Sequence, residues 1–260
     1  MSRLPDAKRH LGQHFLVDEN VLGVVGRLAE LEADDVVLEI GPGAGFLTRF
    51  LAQRVRLVHA VEIDRSLEER LTAELAPFPN VRLRFGDVLR LDPAELDPPP
   101  GKLVANLPYN VATPVVVESL DGLPSVQHWT VMVQLEVAQR FFARPATKEY
   151  GAVSVLLQLA TRRSGFHPVS RTVFRPRPNV DSALVAFERT GMPGDWPALK
   201  RVVEGAFAHR RKTLPNSLAL AGIASREAAA AAVGALGRSA TVRAEELAPP
   251  EFVGLAEALA

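Results

Sequence analysis

Short runs of branched apolar residues punctuate the first two thirds of the chain, and stretches with helical spacing lie between them. Val36–Ile40 is apolar at four of its five positions, ends at Gly41, and predicts a buried parallel strand. Residues 46–54 then predict a helix. Leu57–Glu62 reads as a second strand, after which Ser66 is expected to cap a helix running to about Leu75. Val81–Phe85 alternates apolar residues with Arg, as a third strand nearer a sheet edge would. Leu103–Ala105 and Thr130–Val133 read as a fourth and a fifth strand, the latter followed by a helix over 135–143, and Val180–Phe187 closes the series. Strands separated by helical stretches imply right-handed crossovers, hence an α/β fold with a doubly wound, mostly parallel sheet.

The pattern changes after about Arg189. Gly191-Met192-Pro193-Gly194 is a breaker cluster, and beyond it only helical spacing recurs, over 196–209, 213–221, 225–236 and 249–259. The expected organisation is a larger domain over 1–190 and a small helical one over 191–260.

Candidate chemistry sits where strands end. The run Glu39-Ile40-Gly41-Pro42-Gly43-Ala44-Gly45 leaves the first strand and enters a helix, and glycines there let the backbone turn and approach a ligand closely. The dinucleotide fingerprint places glycines at relative positions one, three and six; here they fall at one, three and five, and Phe46 holds the sixth. That disfavours a pyrophosphate ligand and a nicotinamide-dependent dehydrogenase. Glu62 ends the second strand, where a carboxylate can accept from ribose hydroxyls. Asp87 follows the third strand, placed to accept from an adenine amino group. The fourth strand runs into Asn106-Leu107-Pro108-Tyr109. An exocyclic adenine amine is a poor nucleophile because its lone pair is delocalised into the ring. Acceptors that hold its N–H groups draw the nitrogen toward tetrahedral geometry. The Asn106 side-chain carbonyl and the backbone carbonyl of Leu107 or Pro108 can serve, with Tyr109 stacked on a flipped-out base.

At this point the residues resemble a known family. Glu39–Gly45 and Asn106–Tyr109 look like motifs of S-adenosylmethionine-dependent adenine-N6 methyltransferases. More narrowly, the chain resembles the ribosomal RNA adenine dimethyltransferases of the KsgA family. The matching segments are Leu11–Leu16, Glu62–Asp64, Asn106–Asn110, Gln134–Val137, Tyr150-Gly151, Phe174–Ala183, Ala206–Leu214 and Thr241–Leu247. The resemblance spans roughly residues 8–258. It implies a Rossmann-like, mostly parallel seven-stranded methyltransferase sheet with a small all-helical C-terminal domain. It implies S-adenosyl-L-methionine as cofactor, held by His14, Leu16, Gly41, Gly43, Glu62, Asp87 and Asn106. It implies target-base contacts at Asn106, Leu107, Pro108, Tyr109 and Phe174. His14 stands where the family usually has Asn. The implied activity is dimethylation of N6 on two adjacent adenosines in a 3′-terminal hairpin of 16S ribosomal RNA, coupled to ribosome biogenesis on an immature 30S subunit.

Composition and charge refine this picture. The 260 residues include no Cys, which excludes disulfides and thiolate metal sites, and no metal is expected. No apolar run reaches about 18 residues and the N-terminus has no apolar signal core, so a cytoplasmic protein without a membrane partner is expected. A monomer is expected. Net charge is zero, yet it is segregated. Residues 1–16 carry +2 through Arg3, Lys8 and Arg9 against Asp6, residues 17–100 carry −7, residues 138–180 carry +7 and residues 200–212 carry +4. Arg144, Lys148, Arg175, Arg210, Arg211 and Lys212 are therefore the expected RNA contacts. Two rivals remain beside the dehydrogenase: a macrolide-resistance-type methyltransferase acting on 23S ribosomal RNA, and a non-catalytic assembly factor.

Overall fold

The computed structural model describes residues 13–260. Leu11 and Gly12 of the N-terminal motif, and the charges at Arg3, Asp6, Lys8 and Arg9, lie outside the described residues. The first elements are β1 (Phe15–Leu16), α1 (Glu19–Leu28), β2 (Val36–Ile40), α2 (Phe46–Ala52), β3 (Leu57–Glu62), α3 (Glu68–Leu75) and β4 (Val81–Phe85). There follow β5 (Lys102–Asn106), α4 (Ala112–Gly122), β6 (His128–Gln134), α5 (Leu135–Phe141), α6 (Ala152–Ala160), β7 (Thr161–Val169), β8 (Phe174–Arg175) and β9 (Ser182–Arg189). The chain ends in α7 (Trp196–Phe207), α8 (Leu214–Leu220), α9 (Arg226–Ala235) and α10 (Pro249–Ala258).

Seven strands form one sheet in the order β4-β3-β2-β5-β6-β9-β7, and β1 pairs with β8 in a separate two-stranded ladder. The β4, β3, β2, β5 and β6 pairings are parallel, and β9 runs antiparallel to β6. Parallel strands need crossovers, so helices cover both faces. On one face, Val21, Leu22 and Val25 of α1 and Leu47 and Leu51 of α2 meet Val37, Val58, Val104, Met132 and Leu184 from the strands. Each such buried side chain contributes about 1.5–3 kcal/mol. On the other, α4 buries Val115, Val116 and Leu120. Trp129 of β6 donates to Ser119 Oγ at 2.9 Å and stacks on Phe187 of β9 at 5.4 Å. Arg189 lies over the Trp129 ring and donates to the carbonyls of Leu120, Leu123 and Val126, which closes the C-terminal end of α4.

The expected strands appear with small changes at their ends. Ser66 is not the cap it was expected to be. Asp64 Oδ1 accepts from the Ser66 amide at 3.0 Å and starts a single tight turn, and α3 begins only at Glu68. The last strand starts at Ser182 rather than Val180, which is solvent-exposed. The seventh strand, β7, escapes the pattern because it lies at a sheet edge and most of its residues face solvent. Its Gly165 is required by packing, since a Cβ there would come 2.5 Å from Leu28 Cδ2.

The chain divides into two units. One comprises residues up to Ala138 together with Arg163–Arg189, and the other Gln139–Arg162 together with Thr190–Ala260. The second joins Gln139–Arg162, which the sequence division grouped with the first domain, to the C-terminal residues. Within it α6 packs on α7 and α10. Tyr150 donates to the Leu247 carbonyl at 2.8 Å, and its ring meets Phe207, which stacks on Phe252. The local helical reading of 196–259 agrees with α7 to α10 to within about two residues.

Candidate active site

Strands β2, β3 and β5 end side by side, and the loops leaving them build a cleft open to solvent on one side. The glycine loop forms one wall. Gly41, Gly43 and Gly45 have φ of 73°, 57° and 77°, in the left-handed region that L side chains avoid. The Gly41 amide donates to the Val61 carbonyl at 2.9 Å and so extends the β2–β3 ladder into the loop. A Cβ on Gly43 would approach the Phe15 ring to 3.0 Å, so the loop is also closely packed from behind.

Glu62 joins this loop to the exit of β3. It is buried, its Oε2 accepts from the Gly43 amide at 3.0 Å, and its Oε1 accepts from the Asp64 amide at 2.9 Å. Burial pushes its pKa up, and the two amide hydrogen bonds oppose that. Asp64 is itself held by Gln13, whose Nε2 donates to it at 3.1 Å.

At the end of β5, the Asn106 side-chain amide donates to the His14 carbonyl at 3.0 Å. This commits the nitrogen end of the side chain and leaves Oδ1 as its acceptor. The Leu107 amide donates to the Met132 carbonyl at 3.0 Å, while the Pro108 carbonyl accepts from the Val111 amide at 3.1 Å. Of the two backbone carbonyls the sequence left open, Pro108 is thus already used in a turn. The Tyr109 hydroxyl pairs with Ser182 Oγ at 2.8 Å, and its ring lies 5.3 Å from the His14 ring. Burial pushes the Tyr109 phenol above its ordinary value, so it stays protonated. His14 Nδ1 donates to the Pro176 carbonyl at 2.8 Å, and β1 pairs Leu16 with Phe174 of β8.

Of the residues expected to contact the cofactor, His14, Leu16, Gly41, Gly43, Glu62 and Asn106 line this one cleft. Asp87 does not. It caps the turn after β4, accepting from the Leu89 amide at 3.0 Å, and faces Arg90 at 3.7 Å. Two exposed apolar residues, Ile63 and Leu89, stand next to Glu62 and beyond Asp87 in the chain. Leu107, Pro108 and Tyr109 line the cleft, but Phe174 does not. Phe174 is fully buried in the core cluster with Leu16, Leu47 and Met132, so in this arrangement it has no surface to offer a base.

Sequence reasoning gave no role to Glu39, which lines the cleft and is 1% exposed. Its Oε2 has no hydrogen-bond partner among the described residues, and neither has Thr48 Oγ1. Burial pushes the Glu39 carboxyl up to about 8, and the Glu62 charge adds to the shift. A lone acid inside the apolar run Val36–Ile40 was the available signal.

The cleft suits the implied cofactor. Backbone amides and a close-approach glycine loop accommodate a polar chain, carboxylates accept from hydroxyls, and an unpartnered buried carboxyl oxygen suits a cationic group. Of the expected RNA contacts, Arg175 belongs to the first unit and is exposed. Arg144, Lys148, Arg210, Arg211 and Lys212 belong to the second and are also exposed, with Arg210 donating to the Lys148 carbonyl at 3.1 Å. No helix of the described residues is long and apolar enough to cross a membrane, and no cluster of His and acidic residues among them suits a metal ion.

Residues 5–248 match the family model described as ribosomal RNA adenine dimethylase. The chain is 49% identical over 254 residues to ribosomal RNA small subunit methyltransferase A of Rubrobacter xylanophilus, covering 97% of this chain and 95% of that one. It is 46% identical to the protein of the same description from Thermobifida fusca, covering 95% and 88%. Among solved structures, a dimethyladenosine transferase from Plasmodium falciparum superposes with a TM-score of 0.76 at 20% identity, covering 93% and 96%, and shares the fold. The 23S rRNA methyltransferase ErmE superposes at 0.66 with 30% identity, covering 94% and 99%.

Proposed function

The chain belongs to the ribosomal RNA adenine dimethylase family, and on that premise we propose how its cleft dimethylates adenine N6 in small-subunit ribosomal RNA. S-adenosylmethionine, when bound, supplies an electrophilic methyl group on its sulfonium. Gly41 and Gly43 let the backbone lie against its amino-acid portion, and Glu62 accepts from the ribose with the lone pairs its two amide bonds leave. Ile63, on the cleft wall, provides an apolar face for the adenine, and Asp87, which lies outside the cleft lining and caps the next turn, would accept from the adenine amino group with the lone pairs that its Leu89 bond leaves.

The observation that carries the reading is the Asn106 amide, locked by the His14 carbonyl at 3.0 Å so that its oxygen is the acceptor. In the proposed complex Asn106 Oδ1 and the Leu107 carbonyl hold the two N–H groups of the target amine. Tyr109, fixed through Ser182, stacks on the flipped base. Positioning then does most of the catalytic work. No general base is needed, because the methylated nitrogen becomes acidic and releases its proton to water.

Phe174 supports the cleft from below by holding β1 in place. The finer reading follows the same family logic: two adjacent adenosines in a 3′-terminal hairpin of 16S RNA, within an immature 30S subunit, modified by a cytoplasmic monomer. Arg144, Lys148, Arg175, Arg210, Arg211 and Lys212 would bind phosphates. Residues 150–180 contain no acidic side chain at all, which supports an RNA-facing strip there.

The test is to map dimethyladenosine in isolated 30S and 50S subunits treated with the protein and with Asn106→Ala. Dimethylation confined to 30S, reduced at least about 100-fold in the variant as for loss of a transition-state donor or acceptor, is expected. Modification of 50S would favour the ErmE-like alternative, and an undiminished Asn106→Ala would remove that residue from the mechanism.

A further inference from the structure

Glu39 is buried beneath the glycine loop with an oxygen that no group among the described residues satisfies, and it lines the same cleft as Gly41, Glu62 and Asn106. A buried carboxyl in that state costs free energy unless something in the cleft compensates it. We propose that Glu39 is the titrating counter-charge of this site: its carboxyl releases a proton to solvent when the methyl donor binds and regains one when the donor has become product. The inference rests on the reading that the cleft holds S-adenosylmethionine.

The charge count gives the reason. The donor combines a sulfonium, an ammonium and a carboxylate and carries one net positive charge. The product S-adenosylhomocysteine has lost the sulfonium charge and is a neutral zwitterion. Among the described residues two carboxyls face the cleft, and they differ in what holds them. Glu62 accepts from two backbone amides, which favours its charged form. Burial raises both carboxyls, but Glu39 has neither of those opposing bonds, so its charge state is the freer of the two to follow the ligand.

The groups around it leave that role open. Strand β3 contributes Glu62, helix α2 contributes the uncharged Thr48 hydroxyl, and the N-terminal segment contributes His14 on the cleft wall. The loop Gly41–Gly45 brings no charge. With its carboxyl pushed up to about 8, Glu39 holds a proton at neutral pH. A cation within about 4–6 Å lowers a carboxyl pKa by about one to three units, which predicts release of roughly 0.4–0.9 proton at pH 7. The balance is a neutral carboxyl and a cationic donor going to a carboxylate–cation pair and a proton in the buffer.

Calorimetric titration of the full chain with S-adenosylmethionine and with S-adenosylhomocysteine, in buffers of different ionisation enthalpy, reads this directly. The sulfonium makes the donor's amino group the more acidic of the two, so holding it as ammonium takes up protons, opposite in sign to the release expected from Glu39. The donor is expected to release about half a proton or more beyond the product at pH 7. Its Kd should also weaken up to about tenfold relative to the product's between pH 7 and pH 6. Glu39→Gln, which keeps the shape and removes the ionisation, should abolish both differences. Equal proton release by the two ligands overturns the proposal, and so does a difference that persists in Glu39→Gln. If that variant does not fold, the two-ligand comparison on the unaltered chain decides alone. Binding of neither ligand would overturn the cofactor reading itself, which is a different result from donor binding without proton release.

Discussion

Replacing Phe174 by Ala separates packing from base recognition at a position where the two make different predictions. The ring is fully buried, and its strand partner across the short ladder is Leu16. Next to that pair the Val17 amide donates to the Val173 carbonyl at 3.1 Å. Truncating a buried Phe typically costs about 3–5 kcal/mol. At about 2–4 °C per kcal/mol for a chain of this size, the melting temperature should fall by roughly 10 °C. The damage should not stay local. The segment that β1 anchors also carries the His14 carbonyl that orients Asn106, and both residues line the cleft. Loosening it should weaken S-adenosylmethionine binding by about tenfold or more, equivalent to about 1.4 kcal/mol. Phe174→Leu keeps most of the apolar volume, costs about 1–2 kcal/mol, and should retain methylation within a few-fold. Differential scanning calorimetry, cofactor titration and a methyl-incorporation assay on the two variants measure all three quantities. Unchanged melting and cofactor affinity with abolished methylation in Phe174→Ala would refute the packing argument. So would a Phe174→Leu variant as inactive as Phe174→Ala, because stacking needs the ring and packing does not.

Other substitutions test neighbouring links. Gly43→Ala forces a side chain into φ of 57° and brings its Cβ to 3.0 Å from Phe15, so a loss of about 1–2 kcal/mol from backbone strain is expected together with weaker cofactor binding, both measurable by calorimetry. His59 is buried with Nε2 paired to the Pro98 carbonyl at 2.9 Å and Nδ1 unpartnered, and burial lowers its pKa. The unfolded chain therefore takes up a proton near pH 6.5 that the folded chain refuses, so stability should fall as pH drops through that value. Urea titrations from pH 7.5 to 5.5 should show the decline, and His59→Gln should flatten it. Alanine at Arg210, Arg211 and Lys212 together should reduce the salt slope of RNA affinity by about 2–3, and an unchanged slope would remove these residues from the phosphate contacts.

Much of the sheet was legible because parallel strands are short, continuous apolar runs, and their length and composition survive folding. β2 and β3 begin and end where their hydrophobic runs do. β7 was not legible, since an edge strand with Arg162, Arg163 and His167 turned to solvent carries no apolar alternation. The grouping of Gln139–Arg162 with the C-terminal helices was equally hidden. It depends on contacts such as Tyr150 to Leu247, separated by 97 positions, which no local window contains.

The chemistry divides along the same line. The residue sequence alone determined which side chains end strands β2, β3 and β5, because a strand's length and the loop after it set those positions. It thereby identified Gly41, Glu62 and Asn106 as neighbours on one sheet edge. Only the tertiary structure decided what each does there. Burial and hydrogen bonding are properties of surroundings built from distant segments. Those surroundings withdrew Phe174 into the core, turned Asp87 to its own turn, tied the Pro108 carbonyl to Val111, and left Glu39 buried with an oxygen unsatisfied.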